Sequence, residues 1–552
     1  MLVVAGCGDS PEPPRPTPSS GSPGGSTSPA PAGPANRAAE LIASLDDADL
    51  AGQVLMPYAY GSSATDVSAG SAAGNRKLAG VATPAEMIAK YRLGGLILVG
   101  FSADDPTKAN QATTNVDDPK QVRELTAGLQ VAREKLPGGA APLLIGTDQE
   151  YGVVTRIRDG VTMLPSAMAA GAAADPARTE KAWSVAGREL AALGINVDFA
   201  PDADVLRARS SVIGSRSYGA DPKVAADQVA AAVRGLQGAG VSATLKHFPG
   251  HGNTGGDSHE DLPRLEQDRA ELDRTDLAPF AAGIAAGADL VMSAHLDVRA
   301  VDPGTAGTFS RKLLTDVLRG QLGFKGVLVT DGMNMAPAKK YPPGEAAVRA
   351  LNAGNDLILM PPDIGAAHGG IVTAVKDGTL PRARLVEAAT RVLTLALSRA
   401  DRTAPDIATL GSGEHQQAAR ALATAAVTQF RGACGPVSGP VSVSASNGRE
   451  ATRKLLVDAL RAAGVRVVER GGTVVHLVGY GDGSADLRAD ATVTVAMDTP
   501  YVLAEARSKR LLATYSSSPA SMAGLADVLA GKAKPTGRSP VPVPGLPATS
   551  CG

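Results

Sequence analysis

Three of the chain's seven histidines, His247, His251 and His259, stand in one short stretch, Lys246-His-Phe-Pro-Gly-His-Gly-Asn-Thr-Gly-Gly-Asp257-Ser-His259. Its glycines and proline mark a loop able to take backbone conformations closed to most residues. Imidazole both titrates near neutral pH and ligates metals, so two chemistries fit. His247, His251, His259 and Asp257 could hold a metal that activates water. Alternatively Asp257, two residues before His259, could orient that ring as a general acid/base. The third reading has no chemistry: histidines satisfied by backbone carbonyls in a packed loop. Spacing alone leaves all three open.

Other polar residues recur in a regular setting. Asp148, Asp202 with Asp204, Lys246 with His247, His295 and Asp331 each follow a short apolar run. Eight such runs occur, at 54–58, 96–99, 143–146, 197–199, 243–245, 290–292, 327–329 and 357–359, separated by Ala-rich stretches that include helical patterns at 223–236 and 311–322. Strand and helix alternating in this way predict a parallel sheet, and eight units predict a closed (β/α)8 TIM barrel over residues 36–405. In such barrels functional groups sit at the C-terminal ends of the strands, where these polar residues fall. Beyond 405 the texture changes. Runs at 441–443, 465–468, 474–478, 492–496 and 511–514, with a helix at 453–463, predict a smaller C-terminal α/β sandwich domain over 406–552.

The histidine loop resembles the signature of glycoside hydrolase family 3 β-N-acetylglucosaminidases of the NagZ type. Thr147-Asp-Gln-Glu150, Phe199-Ala-Pro201 with Asp204-Val205, Ile213-Gly-Ser-Arg216-Ser-Tyr-Gly219 and Val329-Thr-Asp331-Gly-Met-Asn-Met335 agree with that family in order along the chain. Leu512-Ala-Thr-Tyr-Ser-Ser517 and Pro535-Thr-Gly-Arg-Ser-Pro-Val541 extend the resemblance into the C-terminal part. It implies a retaining exo-β-N-acetylglucosaminidase acting on terminal N-acetylglucosamine (GlcNAc), with peptidoglycan fragments as substrate. It further implies Asp331 as nucleophile, His259 as acid/base and Asp257 as its dyad partner. Asp148, Arg156, Arg216, Lys246 and His247 are implied to hold the sugar, and His295 to support the nucleophile. Two departures stand out: Tyr151-Gly-Val153 where the family has two glycines and then an arginine, and Gly332 where Asp or Ala is usual. A barrel that has lost activity and only binds cell wall, and a variant using phosphate in place of water, are the alternatives. No metal or organic cofactor is expected.

Composition bounds the partners. Lys plus Arg is 54 and Asp plus Glu is 55, for a net charge of −1, which leaves no cationic surplus for nucleic acid. Aromatic residues make up 3% of the 552 residues, too few for wide stacking strips, so hydrogen bonds and charge must hold a polar ligand. The opening Met1-Leu-Val-Val-Ala-Gly-Cys7 resembles the end of a lipoprotein signal peptide. Cys7 is thus the expected lipidation site, followed by a Pro/Ser/Gly tether to residue 35 that cannot form a core. The expectation is an extracytoplasmic monomer anchored to the membrane through lipid. Cys434 and Cys551 are then expected to pair as a disulfide.

Overall fold

The computed structural model describes Met1 and residues 33–100, 115–209, 212–400 and 402–551. Cys7 and most of the expected tether lie outside the described residues. The chain divides into two compact units, Met1–Gly33 and Pro34–Gly552, and everything below concerns the second.

Eight parallel strands form the first sheet: β1 Leu55–Met56, β2 Gly95–Leu98, β3 Leu144–Thr147, β4 Val197–Asp198, β5 Ser242–Phe248, β6 Leu290–Ser293, β7 Val327–Thr330 and β8 Ile358–Leu359. Their ladders run in chain order from β2 to β7, and β1 pairs with β8 in parallel. Parallel bridges from Tyr58 to Ile97 and from Val329 to Leu357 join this pair to β2 and β7, so the ring closes. The fold is a (β/α)8 barrel, as the alternation predicts. Every residue of these strands is buried, the condition of strands covered by helices on one face and by one another on the other.

The outer helices follow from local chemistry. Pro222–Gly238 starts where the Asp221 side chain accepts from the Lys223 and Val224 amides, with Pro at the first turn, where its missing N–H costs nothing. It buries Ala225, Val229, Ala232, Val233 and Leu236. Against it lies Pro176–Ala192. A Cβ at Gly235 would sit 2.3 Å from the Glu180 carbonyl oxygen, so glycine is what lets these helices approach. The pattern at 311–322 becomes the helical turn run Lys312–Gln321.

The second sheet holds β9 Thr428–Arg431, β10 Val441–Ala445, β11 Thr473–Val478, β12 Val493–Ala496 and β13 Arg510–Ala513, in the order β9-β13-β12-β11-β10. Only β9 is antiparallel. Two expectations fail here. Residues 465–468 form no strand, Val467 making a single bridge to Val441, and β9 takes the fifth place. The β-branched run in Val465-Arg-Val-Val468 looks like a strand, whereas Thr428-Gln-Phe-Arg431, an edge strand, has little apolar character. Cys434 and Cys551 form a disulfide across a separation of 117 residues.

One face of this sheet packs under Glu450–Ala462 and Pro519–Leu529. The other face joins the barrel. Phe430, Val478, Ala496, Leu511 and Tyr515 share a buried cluster with Met168, Ala169, Leu206 and Ile213. The Ser166 hydroxyl donates to the Tyr515 carbonyl at 2.6 Å, and the Ala220 amide to that of Pro540 at 2.8 Å. The second sheet is thereby fixed against loops at the catalytic end of the barrel.

Candidate active site

Four strand ends place the charged groups. Asp148 follows β3, Asp202 and Asp204 follow β4, Lys246 and His247 end β5, and Asp331 follows β7. Lys246, buried to 2% exposure, donates to Asp148 at 2.8 Å and lies 2.6 Å from Glu150. Arg216, on the short turn Gly214–Arg216, grips Glu150 through Nε at 2.7 Å and Nη2 at 2.9 Å. The same guanidinium lies 3.6 Å from Asp202, and Arg156 lies 3.8 Å from Asp148. Four of the five groups expected to hold the sugar, Asp148, Arg156, Arg216 and Lys246, therefore share one lattice, and His247 joins it 3.3 Å from Arg216. Burial pushes the Glu150 carboxyl up, but Arg216 and Lys246 outweigh it and hold it well below the usual range. Burial works against the Lys246 charge too, and Asp148 and Glu150 restore it and raise its pKa. Both stay ionised at neutral pH.

Glu150 was visible in the resemblance without a role; the structure makes it the anchor of both cations. Asp204 is a second such residue. Its carboxylate accepts the His247 ring at 2.8 Å, the His247 amide at 3.1 Å and the His251 amide at 2.6 Å. On the other edge of His247, Nε2 faces Arg216 Nη2 at 3.3 Å. A guanidinium only donates, so Nε2 accepts and the ring proton sits on Nδ1, facing Asp204. Burial lowers the His247 pKa to about 4, which keeps the ring neutral. No residue near Asp204 or Glu150 in sequence signals these roles, because their partners lie on distant segments.

Asp257 and His259 form the expected pair. His259 Nδ1 lies 2.8 Å from Asp257 Oδ1, and the His259 amide donates to the same oxygen at 2.9 Å. Nδ1 is thus committed and Nε2 is the ring atom left for a substrate. Both side chains are partly exposed, 18% and 16%. His251, buried, reaches Ser258 Oγ from Nε2 at 3.1 Å, so the residue between the dyad partners is tied back to the Asp204 hub. Burial lowers the His251 pKa to about 3.

Asp331 is partly exposed at the barrel mouth, and one of its oxygens accepts from the Gly332 amide at 2.7 Å. Burial pushes its carboxyl up; His247, His295, His259 and that amide together pull it below the usual range. His295, fully buried, lies 3.1 Å from the Gly332 carbonyl through Nε2 and 2.9 Å from Thr308 Oγ through Nδ1. It fixes the backbone beside Asp331, in the supporting place expected of it.

Both departures have local reasons. Tyr151 takes φ 65°, a left-handed conformation that costs a non-glycine residue roughly 1–2 kcal/mol. Its ring is buried and meets Trp183 edge-on at 5.8 Å, and that burial offsets the strain. At Gly332 a Cβ would lie 2.7 Å from Asn334 Oδ1, so its absence lets that amide approach.

The expected alternative of a metal held by His247, His251, His259 and Asp257 finds no convergence. Among the described residues, the group of donors close enough for a metal is Asp202, Asp204 and His247, all within 4.8 Å. Arg216 already fills the cationic place beside it, 3.6 Å from Asp202 and 3.3 Å from His247. Burial and the neighbouring Asp204 push the Asp202 carboxyl well above the usual range. A cavity of about 990 Å³ lined by Tyr341 and Arg349, among others, includes none of these groups.

Residues 65–395 match the family model described as "Glycosyl hydrolase family 3 N terminal domain". A "Beta-hexosaminidase" of Pseudomonas aeruginosa is 39% identical over 276 residues, 49% of this chain and 80% of that protein. "Beta-hexosaminidase A" of Pseudoalteromonas piscicida is 34% identical over 377 residues, 63% of this chain and 60% of that protein. A solved structure of a glycoside hydrolase family 3 beta-N-acetylglucosaminidase from Paenibacillus sp. str. FPU-7 superposes with TM-score 0.78 at 32% identity. That likeness covers 92% of this chain and 100% of the other.

Proposed function

Because the chain belongs to glycosyl hydrolase family 3 and is a glycoside hydrolase of the β-N-acetylhexosaminidase type, we propose that it is a retaining exo-β-N-acetylglucosaminidase with Asp331 as nucleophile and His259 as acid/base. The Asp331 carboxylate attacks the anomeric carbon of a terminal GlcNAc and forms a glycosyl ester. His259, protonated on both nitrogens, gives its Nε2 proton to the departing glycosidic oxygen, and the C–O bond breaks. The neutral ring then takes a proton from water as the water oxygen attacks the anomeric carbon and the bond from that carbon to the Asp331 oxygen breaks. The sugar leaves with its configuration retained, and Asp331 is again a carboxylate. Asp257 holds the ring proton on Nδ1 and so aims Nε2 at the leaving oxygen. The lattice of Asp148, Arg156, Arg216, Lys246 and His247 binds the sugar hydroxyls and acetamido group through charge-assisted bonds.

The observation that carries this reading is the 2.8 Å Asp257–His259 contact in a partly exposed loop, beside a carboxylate held below its ordinary pKa. Asp331→Asn should abolish turnover of an aryl β-N-acetylglucosaminide in a folded protein. Undiminished turnover would remove Asp331 from the mechanism. The proposal extends to peptidoglycan fragments as the glycan source and to water as acceptor. Release of GlcNAc from defined muropeptides supports both, whereas a sugar 1-phosphate formed in phosphate buffer would replace water. A lipid anchor at Cys7 completes the proposal; fatty-acid labelling that survives Cys7→Ser would refute it.

A further inference from the structure

The lattice proposed to hold the sugar is built of barrel residues, but the segment that carries Arg216 is held from two sides. Its amide donates to the Ile213 carbonyl at 2.9 Å and its Nη1 to the Val212 carbonyl at 3.1 Å, which closes the short turn Gly214–Arg216. On the barrel side the guanidinium grips Glu150. The next residue, Ser217, donates through its hydroxyl to the Asp204 carbonyl at 2.6 Å.

On the other side both ends of the segment meet the second sheet. Ile213 is buried in one cluster with Val478, Ala496 and Leu511. The Ser215 hydroxyl donates to Asp498, two residues beyond β12, and a Cβ on Gly214 would lie 3.6 Å from Thr499 Cγ2. At the far end, where Ala220 donates to the Pro540 carbonyl, a Cβ on Gly219 would stand 2.5 Å from that oxygen. The Pro540 stretch is itself tied to β9 and its approach, since the Gly537 amide donates to the Val427 carbonyl at 3.1 Å and the Ser550 amide to that of Gln429 at 2.7 Å.

Successive side chains on a turn of three residues diverge by about 120°, so Ser215 and Arg216 cannot face the same way. Arg216 faces the lattice and Ser215 faces the second sheet. Among the described residues Asp498 is the partner of the Ser215 hydroxyl, and Ser215 is buried. A buried hydroxyl deprived of its acceptor costs more than the bond it made. The turn would then move to recover a partner, and Arg216, one peptide bond away, would move with it.

Resting on the proposed hydrolase reading, we propose that Asp498 is a positioning residue for the sugar: acting through Ser215, it sets the place of Arg216. The second sheet thereby tunes sugar affinity without touching the sugar.

The test uses the full chain. Asp498→Ala should raise KM for an aryl β-N-acetylglucosaminide about tenfold and change kcat much less, because a displaced sugar contact weakens ground state and transition state alike. Ser215→Ala should give the same rise, and the double substitution should add nothing to either single one. Asp498→Asn keeps an acceptor for the Ser215 hydroxyl and should return KM to near the wild-type value. A merely structural role would reduce the active fraction, lowering kcat at unchanged KM. That result, additive effects of the two substitutions, or no recovery in Asp498→Asn would overturn the proposal. Hydrogen exchange reads the same turn without turnover: in Asp498→Ala the amides of residues 214–217 should exchange about tenfold faster while β3 keeps its protection. Unchanged exchange there also overturns the positioning role. A wild type that shows no turnover refutes the hydrolase reading instead. Calorimetry with GlcNAc then replaces KM, and equal affinity of wild type and Asp498→Ala overturns the positioning role.

Discussion

The proposed sugar lattice and the proposed acid/base loop sit at one barrel mouth but are built in opposite ways. Lys246, Arg216 and Glu150 are 2–3% exposed and each holds at least two partners, on segments fixed to strand ends. Asp257 and His259 are about five to nine times more exposed and depend on each other within a glycine-rich turn. Between the two regions run Asp204, which grips both His247 and His251, and the His251–Ser258 bond. The difference suits the chemistry. A sugar is recognised by groups that must not move, since a displaced charge in a dry site is costly. The acid/base must meet leaving groups of different shape and exchange a proton with water.

The comparison is broken most severely by opening the lattice. Arg216→Ala leaves Glu150 buried beside one cation instead of two, and removing one partner of a buried pair costs about 3–5 kcal/mol. Denaturant unfolding should show a loss of that order, together with loss of turnover. A lattice contributing nothing would leave the unfolding midpoint unchanged. Acidification attacks the same region. The folded Glu150 pKa lies below its unfolded value, so its stabilisation is present above the unfolded value and fades as pH falls through the folded one. His247 and His251 add to this, because pKa values of about 4 and 3 mean that only the unfolded chain takes up their protons just below neutrality. The buried carboxyls of Asp198 and Asp202, raised by burial, act in the opposite sense, so the rings are isolated by comparison: between pH 7 and pH 4 the wild type should lose stability relative to His251→Asn in denaturant unfolding, and parallel profiles would contradict a neutral ring.

The loop is broken differently. His259→Ala should keep the fold, since the ring bonds within its own loop, to Asp257, yet lower kcat by about 10²–10⁴-fold on substrates with poor leaving groups. An activated aryl glycoside, whose leaving oxygen needs little protonation, should lose far less. Equal losses on both would deny His259 the acid role.

This contrast also explains what was legible in the sequence. The eight barrel strands read clearly because a strand buried on both faces must be an unbroken apolar run, as in Leu143-Leu-Ile-Gly146. The Asp257–His259 pair was at least within reach, as one of three readings of its loop, because its partners are two residues apart and bond through a local turn. Glu150 and Asp204 were not, because what defines them is a cation 66 residues away and a ring 43 residues away. The second sheet was least legible where it is least apolar, at β9. The valines of 465–468 misled because a β-branched run satisfies local preference without finding a ladder.

Asp204 sharpens the comparison at an intermediate level. Asp204→Asn keeps the shape but exchanges an acceptor for an amide, so the proton on His247 Nδ1 loses its carboxylate. The ring and the His251 backbone should both shift, and misplacement on the ångström scale costs about 10²-fold. Because His247 belongs to the lattice, KM should rise for activated and unactivated substrates alike. An effect confined to poor leaving groups would place Asp204 with the loop instead.

Ser258→Ala is the finest cut. It removes one hydroxyl, whose bond to His251 at 3.1 Å is the tie between the hub and the residue separating Asp257 from His259. A neutral hydrogen bond contributes about 0.5–1.5 kcal/mol, so the loss should stay near tenfold or below. Its pattern matters more than its size. With the lattice untouched, KM for an aryl glycoside should hold while kcat on a poor leaving group falls, a weaker copy of His259→Ala. If Ser258→Ala instead raised KM uniformly, the loop and the lattice would be one rigid body, and their separation into a fixed sugar site and an adjustable proton donor would fail.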